Sequence, residues 1–338
     1  MQPLFKKSDS RIQCLLCPHL CKIADHRVGI CGVRKNTGSK VELDTYGVLS
    51  GFSVDPVEKK PLYHFFPGRD ILSVGSYGCN MRCDFCQNFH ISQNVPKNLS
   101  LKKTPENLAL DALQFGNNIG VAFTYNEPVI WFEFMRDTAI LVKNEGLFTV
   151  MVSNGYVNSD PLSDIIQFID AFNIDLKAFN NDFYKRFTGA DIEPVKSCLK
   201  QIVRSGKHLE ITTLIIPGLN DSEKEMSLQI EWLVGELGKD IPFHISRYFP
   251  SFKRDNPPTS SETMNSLYEI ASKKLNFVYM GNSPSETGQN TVCPSCSTIV
   301  TTRRGYKTHL QNLDKDGNCS VCGNKIYRNF TFSSPTMR

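Results

Sequence analysis

No run of about 18 apolar residues occurs in this chain, so nothing in it reads as a transmembrane helix. The opening segment, MQPLFKKSDSRIQ, lacks the apolar stretch of a secretory leader, and the expected location is the cytoplasm. Charge of one sign is also lacking. Lys and Arg number 38 against 34 Asp and Glu, a formal net charge of +4. The basic residues are scattered rather than striped, so neither nucleic acid nor a membrane is an expected partner. What remains is a globular composition, 40% hydrophobic and 21% charged over 338 residues. A chain of that length buries about three quarters of its unfolded surface and does not need metal to build its main core.

Cysteine, by contrast, is plentiful at 12 residues. In a reducing compartment this argues for metal sites rather than a disulfide framework. All but Cys198 fall into three tight groups. Cys198 shares a helical face with Val195, Leu199 and Ile202 and reads as a small core residue.

The central group is Cys79, Cys83 and Cys86 in GSYGCNMRCDFCQN. Thiolates this close suit three irons of a [4Fe-4S] cluster, and no fourth Cys follows at a nearby spacing. The fourth iron would then be open to a small molecule. The competing reading is a zinc site with a distant fourth ligand. The N-terminal group, Cys14, Cys17, Cys21 and Cys31, satisfies either a Zn(Cys)4 site or a closed [4Fe-4S] cluster, with His19 or His26 able to replace one thiolate. Buried thiols without metal are the plain alternative. The C-terminal group is two Cys-x2-Cys knuckles, Cys293/Cys296 and Cys319/Cys322, the spacing of a zinc ribbon. Arg303, Arg304 and Lys307 between the knuckles read as a solvated basic face.

Three regions follow: a Cys-rich extension over 1–64, a core over 65–285 and a ribbon-like module over 286–338, with a frayed tail from 333. The core alternates apolar β-type runs (71–76, 121–127, 148–155, 172–176, 209–217, 243–248) with helical stretches (105–117, 129–145, 161–169, 193–205, 223–237, 262–275). Strands rich in Val, Ile and Phe between helices predict a parallel sheet, covered on both faces. Six units predict an α/β fold of the partial (β/α)6 barrel type; a doubly wound open sheet is the alternative. In either, ligands belong at the C-terminal strand ends.

Those ends are polar. Strand two runs into Thr124-Tyr-Asn-Glu-Pro128, where Pro128 suits the first turn of a helix and Glu127 suits an ammonium partner. Asp175 and Lys177 are two apart and point to one side of strand four; a surface ion pair is the bland reading. Ser153-Asn154-Gly155 ends strand three. His244 and Arg247 lie on strand six, and His244 reads first as a satisfied core histidine.

The Cys79/Cys83/Cys86 spacing resembles the signature of the radical S-adenosylmethionine (SAM) superfamily. With CLLCPHLCKIADHRVGICGVRKN, DPVEKKPLYHFFPG, YNEP, SNGY, IDLKAF and the CPSC…CSVC ribbon, nearly the whole chain resembles the AmmeMemoRadiSam-system radical SAM enzymes, relatives of pyruvate formate-lyase activating enzymes. The resemblance implies a TIM-type radical SAM barrel holding a [4Fe-4S] cluster and SAM, with a zinc ribbon on Cys293, Cys296, Cys319 and Cys322. It implies an activase-like oxidoreductase that cleaves SAM reductively to methionine and a 5′-deoxyadenosyl radical under anaerobic conditions. Phe85 is implied beside the SAM adenine. Asn126 and Glu127 are implied near the methionine amine, with Tyr125 and Asn126 standing where relatives carry glycines. Ser153, Asn154, Asp175 and Lys177 complete the implied SAM site. A low-potential donor such as flavodoxin or ferredoxin is implied, as are Memo-like and AMMECR-type partners or a protein substrate. The alternative from another class is a non-catalytic adaptor in which every Cys group is a structural zinc site.

Overall fold

The computed structural model describes residues 4–8, 11–38, 40–96 and 101–332; the expected frayed tail lies outside them. The chain begins with a three-stranded antiparallel sheet, β1 (Phe5–Ser8), β2 (Arg11–Cys14) and β3 (Lys22–Ala24), and a hairpin, β4 (Arg34–Asn36) and β5 (Val41–Leu43). It then enters the central sheet at β6 (Gly51–Pro56). β7 (Asp70–Gly75) follows, then α1 (Phe89–Ser92) and α2 (Pro105–Leu113), β8 (Asn118–Phe123), α3 (Phe132–Asn144), β9 (Phe148–Ser153), α4 (Ser159–Ile166) and β10 (Ala171–Asp175). A short turn, α5 (Asn181–Phe183), runs into a π-helical turn over Tyr184–Thr188. Next come α6 (Ile192–Arg204), β11 (His208–Ile215), α7 (Glu223–Leu237), β12 (Phe243–Arg247), α8 (Ser261–Ser272) and β13 (Val278–Gly281). The ribbon is β14 (Thr291–Val292), β15 (Ile299–Arg304) and β16 (Lys307–Leu310).

All six expected core strands form, within a few residues of the expected bounds. They are joined by two more into one eight-stranded sheet of order β13-β12-β11-β10-β9-β8-β7-β6. Every neighbouring pair is parallel except β6 with β7. β6 falls within the segment expected as an N-terminal extension, and pairs with β7 along its whole length. β8 is buried at all its positions, as a strand covered on both faces should be. The expected helix 223–237 is capped at both ends: Ser222 Oγ accepts from Glu225 N at 3.2 Å, and Gly238 follows at φ 96°. Val195, Cys198, Leu199 and Ile202 are buried together on α6.

The sheet curls around a cavity. Residues two apart on successive strands line it: Asn173 and Asp175, Thr212 and Leu214, His244 and Ser246. The segment 57–66 crosses the floor at the N-terminal strand ends. Its Tyr63 and His64 amides donate to Glu210 at 3.0 and 2.7 Å, and Asn173 Nδ2 donates to Pro61 O at 2.8 Å. Tyr63 packs on Tyr279 of β13, ring centroids 4.7 Å apart, so the floor ties one half of the sheet to the other.

The ribbon docks beneath this floor. Arg303 Nη2 donates to Tyr63 O at 2.9 Å, with the guanidinium 4.2 Å from the Tyr63 ring. Thr308 donates to Glu58 at 2.7 Å. This corrects the expected solvated basic face: Arg303 is buried, and only its neighbours Arg304 and Lys307 are exposed.

Candidate active site

β7 delivers the central cysteines. Past its end, Gly78 adopts φ 84°, and a Cβ there would sit 2.4 Å from the carbonyl of Cys31, so glycine is required twice over. Asn126 braces this turn, accepting from Ser76 N at 3.0 Å and donating to Gly78 O at 2.9 Å. The π-helical turn holds the loop's far side, as Arg82 N donates to Thr188 O and Asp84 N to Phe187 O. Arg254 adds two bonds to Asp84 Oδ2, at 2.8 and 2.6 Å.

Cys79, Cys83 and Cys86 line one cavity of about 510 Å³. Donors surround the sulfurs: Met81 N lies 3.3 Å and Asn154 Nδ2 3.7 Å from Cys79 Sγ, and Ser92 Oγ is 3.1 Å from Cys86 Sγ. Burial pushes the Cys83 thiol up to about 12, against the opposing field of Lys177, and raises Cys79 well above the ordinary thiol range. Metal ligation offsets that cost by deprotonating the thiols outright. Among the described residues, the C-terminal quartet is the one group whose ligand atoms all lie within 4.8 Å of one another. Its sulfurs approach to 3.5 Å (Cys293–Cys322) and 3.6 Å (Cys296–Cys319), the spacing that four thiolates take around a single ion. The central three are not drawn together in this way, and three thiolates lining a cavity of that size, with donors around the sulfurs, suit a [4Fe-4S] group.

The other expected site residues converge on the same cavity. Phe85 is buried at its wall against Phe183, ring centroids 5.7 Å apart. Glu127 caps the helical turn opened by Pro128, accepting from Val129 N at 2.9 Å. It also accepts from Ser153 Oγ at 2.7 Å and Asn154 N at 2.8 Å. Burial raises it to about 7 even so, with these bonds and Lys177 pulling the other way. Lys177 Nζ donates to Asp175 Oδ2 at 2.8 Å, and Asn220 Nδ2, from the IPGLND turn, holds the Lys177 carbonyl at 2.7 Å.

Several cavity residues escaped sequence reasoning. Tyr125 carries the glycine-like conformation itself, at φ 72°. Its side chain packs closely against Gly51 and Gly75, and its hydroxyl donates to Asp55 at 2.9 Å. Tyr63, Asn173, Thr212 and the ribbon's Tyr306 also face the cavity. His244 is buried as expected, with Nε2 2.6 Å from Glu210 Oε2, and still contributes to the cavity wall. A lone carboxylate in the apolar run HLEITTLI was the available signal for Glu210.

Residues 73–229 match the family model described as the Radical SAM superfamily. An uncharacterized protein of Methanocaldococcus jannaschii is 38% identical over 325 residues, 95% of this chain and 96% of its own length. The pyruvate formate-lyase-activating enzyme of Clostridium pasteurianum is 29% identical over 154 residues, 44% of this chain and 63% of the relative. Among solved structures, a radical SAM methyltransferase from Sphaerobacter thermophilus superposes with a TM-score of 0.51 at 15% identity, covering 70% of this chain and 71% of that one, a likeness of fold. No helix among the described residues is long and apolar enough to cross a membrane.

Proposed function

The chain belongs to the radical SAM superfamily, and from that premise we propose that it cleaves SAM reductively and abstracts a hydrogen atom from a substrate held in the barrel cavity. Cys79, Cys83 and Cys86 would hold the [4Fe-4S] cluster. That cluster, when bound, supplies the single electron that splits SAM into methionine and a 5′-deoxyadenosyl radical. The protein's own groups do the rest. Glu127 and Asn154 meet the methionine amine, Lys177 meets the carboxylate, Asp175 sets the Lys177 ammonium, and Phe85 packs by the adenine. Asn126 and Ser153 position these groups rather than touch the reacting atoms.

The observation that carries this reading is convergence: the three cysteines of the Cys-x3-Cys-x2-Cys run, Glu127 and the Asp175–Lys177 pair line one cavity at the C-terminal strand ends. Similarity to pyruvate formate-lyase-activating enzymes supports an activase-like role with a glycyl residue of a partner protein as substrate. Within this proposal the chain is an AmmeMemoRadiSam-system enzyme of the cytoplasm, served by a flavodoxin- or ferredoxin-class donor and associated with Memo-like and AMMECR-type proteins. The adaptor alternative is not favoured, because the match to the Radical SAM superfamily model spans the central cysteines.

The test is anoxic incubation of reduced, iron-loaded protein with SAM. 5′-Deoxyadenosine and methionine should form, and Cys83→Ala should abolish both while circular dichroism stays unchanged. Unchanged cleavage in Cys83→Ala would refute the assignment. Deuterated candidate partners, followed by label transfer into 5′-deoxyadenosine, then identify the substrate.

A further inference from the structure

We propose that Lys59 and Lys60 form an anion-binding subsite for the substrate, so that the molecule from which hydrogen is abstracted carries a carboxylate or phosphate group. The proposal deepens the reading above and rests on it.

Both lysines come from DPVEKKPLYHFFPG, residues 55–68, the segment whose later part makes the barrel floor. β6 ends at Pro56 and a short helical turn over Val57–Lys59 follows. The turn brings the lysines back onto Asp55: Lys59 Nζ donates to Oδ1 at 2.8 Å and Lys60 Nζ to Oδ2 at 2.7 Å. Tyr125 completes the group. Its hydroxyl donates to Asp55 Oδ2 at 2.9 Å, and its ring centroid lies 4.9 Å from Lys60 Nζ. Tyr125 directly precedes Asn126 and Glu127, so the lysines stand beside the loop assigned to SAM.

Charge does not balance in this group, because two ammonium groups share one carboxylate. The surplus faces inward. Both lysines line the cavity of about 510 Å³, while Asp55 is buried behind them. Lys60 also has bonding capacity to spare. Its side chain is 2% exposed and its Nζ carries three N–H groups, yet among the described residues Asp55 is its one hydrogen-bond acceptor. Burial and the neighbouring Lys59 draw the Lys60 ammonium below the ordinary lysine range, with Asp55 opposing them. A second anion, entering from the cavity, would meet the free N–H groups in charge-assisted hydrogen bonds and restore the balance.

The other charged side chains lining the cavity already have roles. Glu127, Asp175 and Lys177 belong to the SAM reading, and His244 is bound to Glu210. Glu58 adjoins the lysines, but its Oε1 accepts from the Gly68 amide at 2.8 Å and the Thr308 hydroxyl at 2.7 Å. Its Oε2 is buried without a partner, and burial raises the carboxyl toward its neutral form. It therefore does little to cancel the lysines. Lys59 is 45% exposed, so this end of the cavity opens to solvent and an anion can pass from Lys59 inward to Lys60.

The experiment is anoxic calorimetric titration of full-length, iron-reconstituted protein, first with SAM and then, at saturating SAM without reductant, with inorganic phosphate, succinate and acetylated, amidated Gly-Asp-Gly. Succinamide, which lacks the charge, is the control. At least one of the three anions should bind saturably and succinamide should not. Lys60→Met should weaken that binding about tenfold or more, the value of one charge-assisted contact. Lys59→Met, at the exposed end where the fold has least at stake, should weaken it about threefold. Asp55→Asn enlarges the positive surplus and should tighten it about threefold, a gain that a purely structural ion triad does not give. Binding of phosphate or succinate assigns the anion to a small-molecule substrate; binding of the peptide alone assigns it to an acidic residue of a protein substrate. Wild type that binds SAM but none of the three anions would overturn the inference and leave the SAM site standing. Anion binding unmoved by both lysine variants, or unchanged or weakened in Asp55→Asn, would overturn it too. Wild type that does not bind SAM would instead defeat the proposed function.

Discussion

The backbone N–H of Asn154 donates to Glu127 Oε2 at 2.8 Å, so the loops after β8 and β9 share one buried carboxylate. Ser153 Oγ and the Val129 amide occupy the other oxygen. The carboxylate is thereby fixed in place, with an Oε2 lone pair left over for a ligand ammonium.

This geometry predicts pH-dependent SAM binding. Burial lifts Glu127 to about 7, so in the SAM-free protein it takes up a proton as pH falls through that value. An ammonium needs the ionised form. SAM affinity should therefore be full above about pH 7 and fall by up to ~10-fold per unit below it. Glu127→Gln should bind SAM weakly throughout and show no such slope. Calorimetric titration from about pH 6 to about pH 8.5 checks this; a flat wild-type profile would contradict it.

Lys177 offers a second prediction. Burial disfavours its ammonium, but the Asp175 carboxylate and, once ionised, the Cys83 sulfur outweigh that penalty and hold it protonated. Lys177→Met keeps the stem and removes the charge. SAM affinity should drop about tenfold or more, the value of one charge-assisted contact. Asp175→Asn should weaken binding less, since Lys177 remains charged. Equal losses in the two variants would mean that the pair acts as a structural unit.

The ribbon predicts a metal-dependent module. Its own core is small: Cys293, Val300, Cys319, Ile326 and Tyr327. The Cys296 thiol, beside the Thr298 hydroxyl at 3.2 Å, is drawn down to about 6 and is ready to ligate at neutral pH. A structural metal ion in such a site contributes on the order of 10 kcal/mol, the scale known for zinc fingers, and more than this core can replace. Cys319→Ser should therefore lose one metal per chain and become protease-sensitive across 291–330. Proteolysis mapped by mass spectrometry, alongside metal analysis, decides the matter. Protection equal to wild type would show that the Arg303–Tyr63 dock suffices alone.

The six core strands were legible because they are buried on both faces and read as apolar runs. β6 and β13 were not. GFSVDP alternates weakly and ends in proline, and VYMG spans four residues, so neither carries a period long enough to read. The cysteine groups were legible because metal chemistry fixes their spacing. Tyr125 was not, since a tyrosine at positive φ is held there by Gly51, Gly75 and Asp55, which are distant in sequence. Arg303 was misassigned for a related reason. A basic run discloses charge, while the Tyr63 and Tyr279 rings that bury it lie elsewhere in the chain.

Glu210 yields the last prediction. It is fully buried, yet four donors satisfy it: the amides of Tyr63 and His64, His208 Nε2 at 2.9 Å and His244 Nε2 at 2.6 Å. Burial alone would raise its carboxyl, but the two histidine bonds dominate together and hold it well below the usual carboxylate range. A carboxyl depressed by folding stabilises above its unfolded value, about 4.5, and loses that stabilisation as pH falls toward the lower folded one. Acid unfolding of wild type should therefore steepen below about pH 4.5. Glu210→Ala strands two amides and two imidazoles in the barrel floor and should cost about 3–5 kcal/mol, read as a shift in denaturant midpoint at neutral pH. Glu210→Gln keeps the shape but supplies a single acceptor oxygen where four donors converge. It should lose less stability and most of the acid steepening. Because Tyr63 and His244 face the cavity, either variant should also loosen its floor, seen as faster amide hydrogen exchange across 57–66. Unchanged exchange there would mean that the ribbon, through Arg303 and Thr308, holds the floor without Glu210.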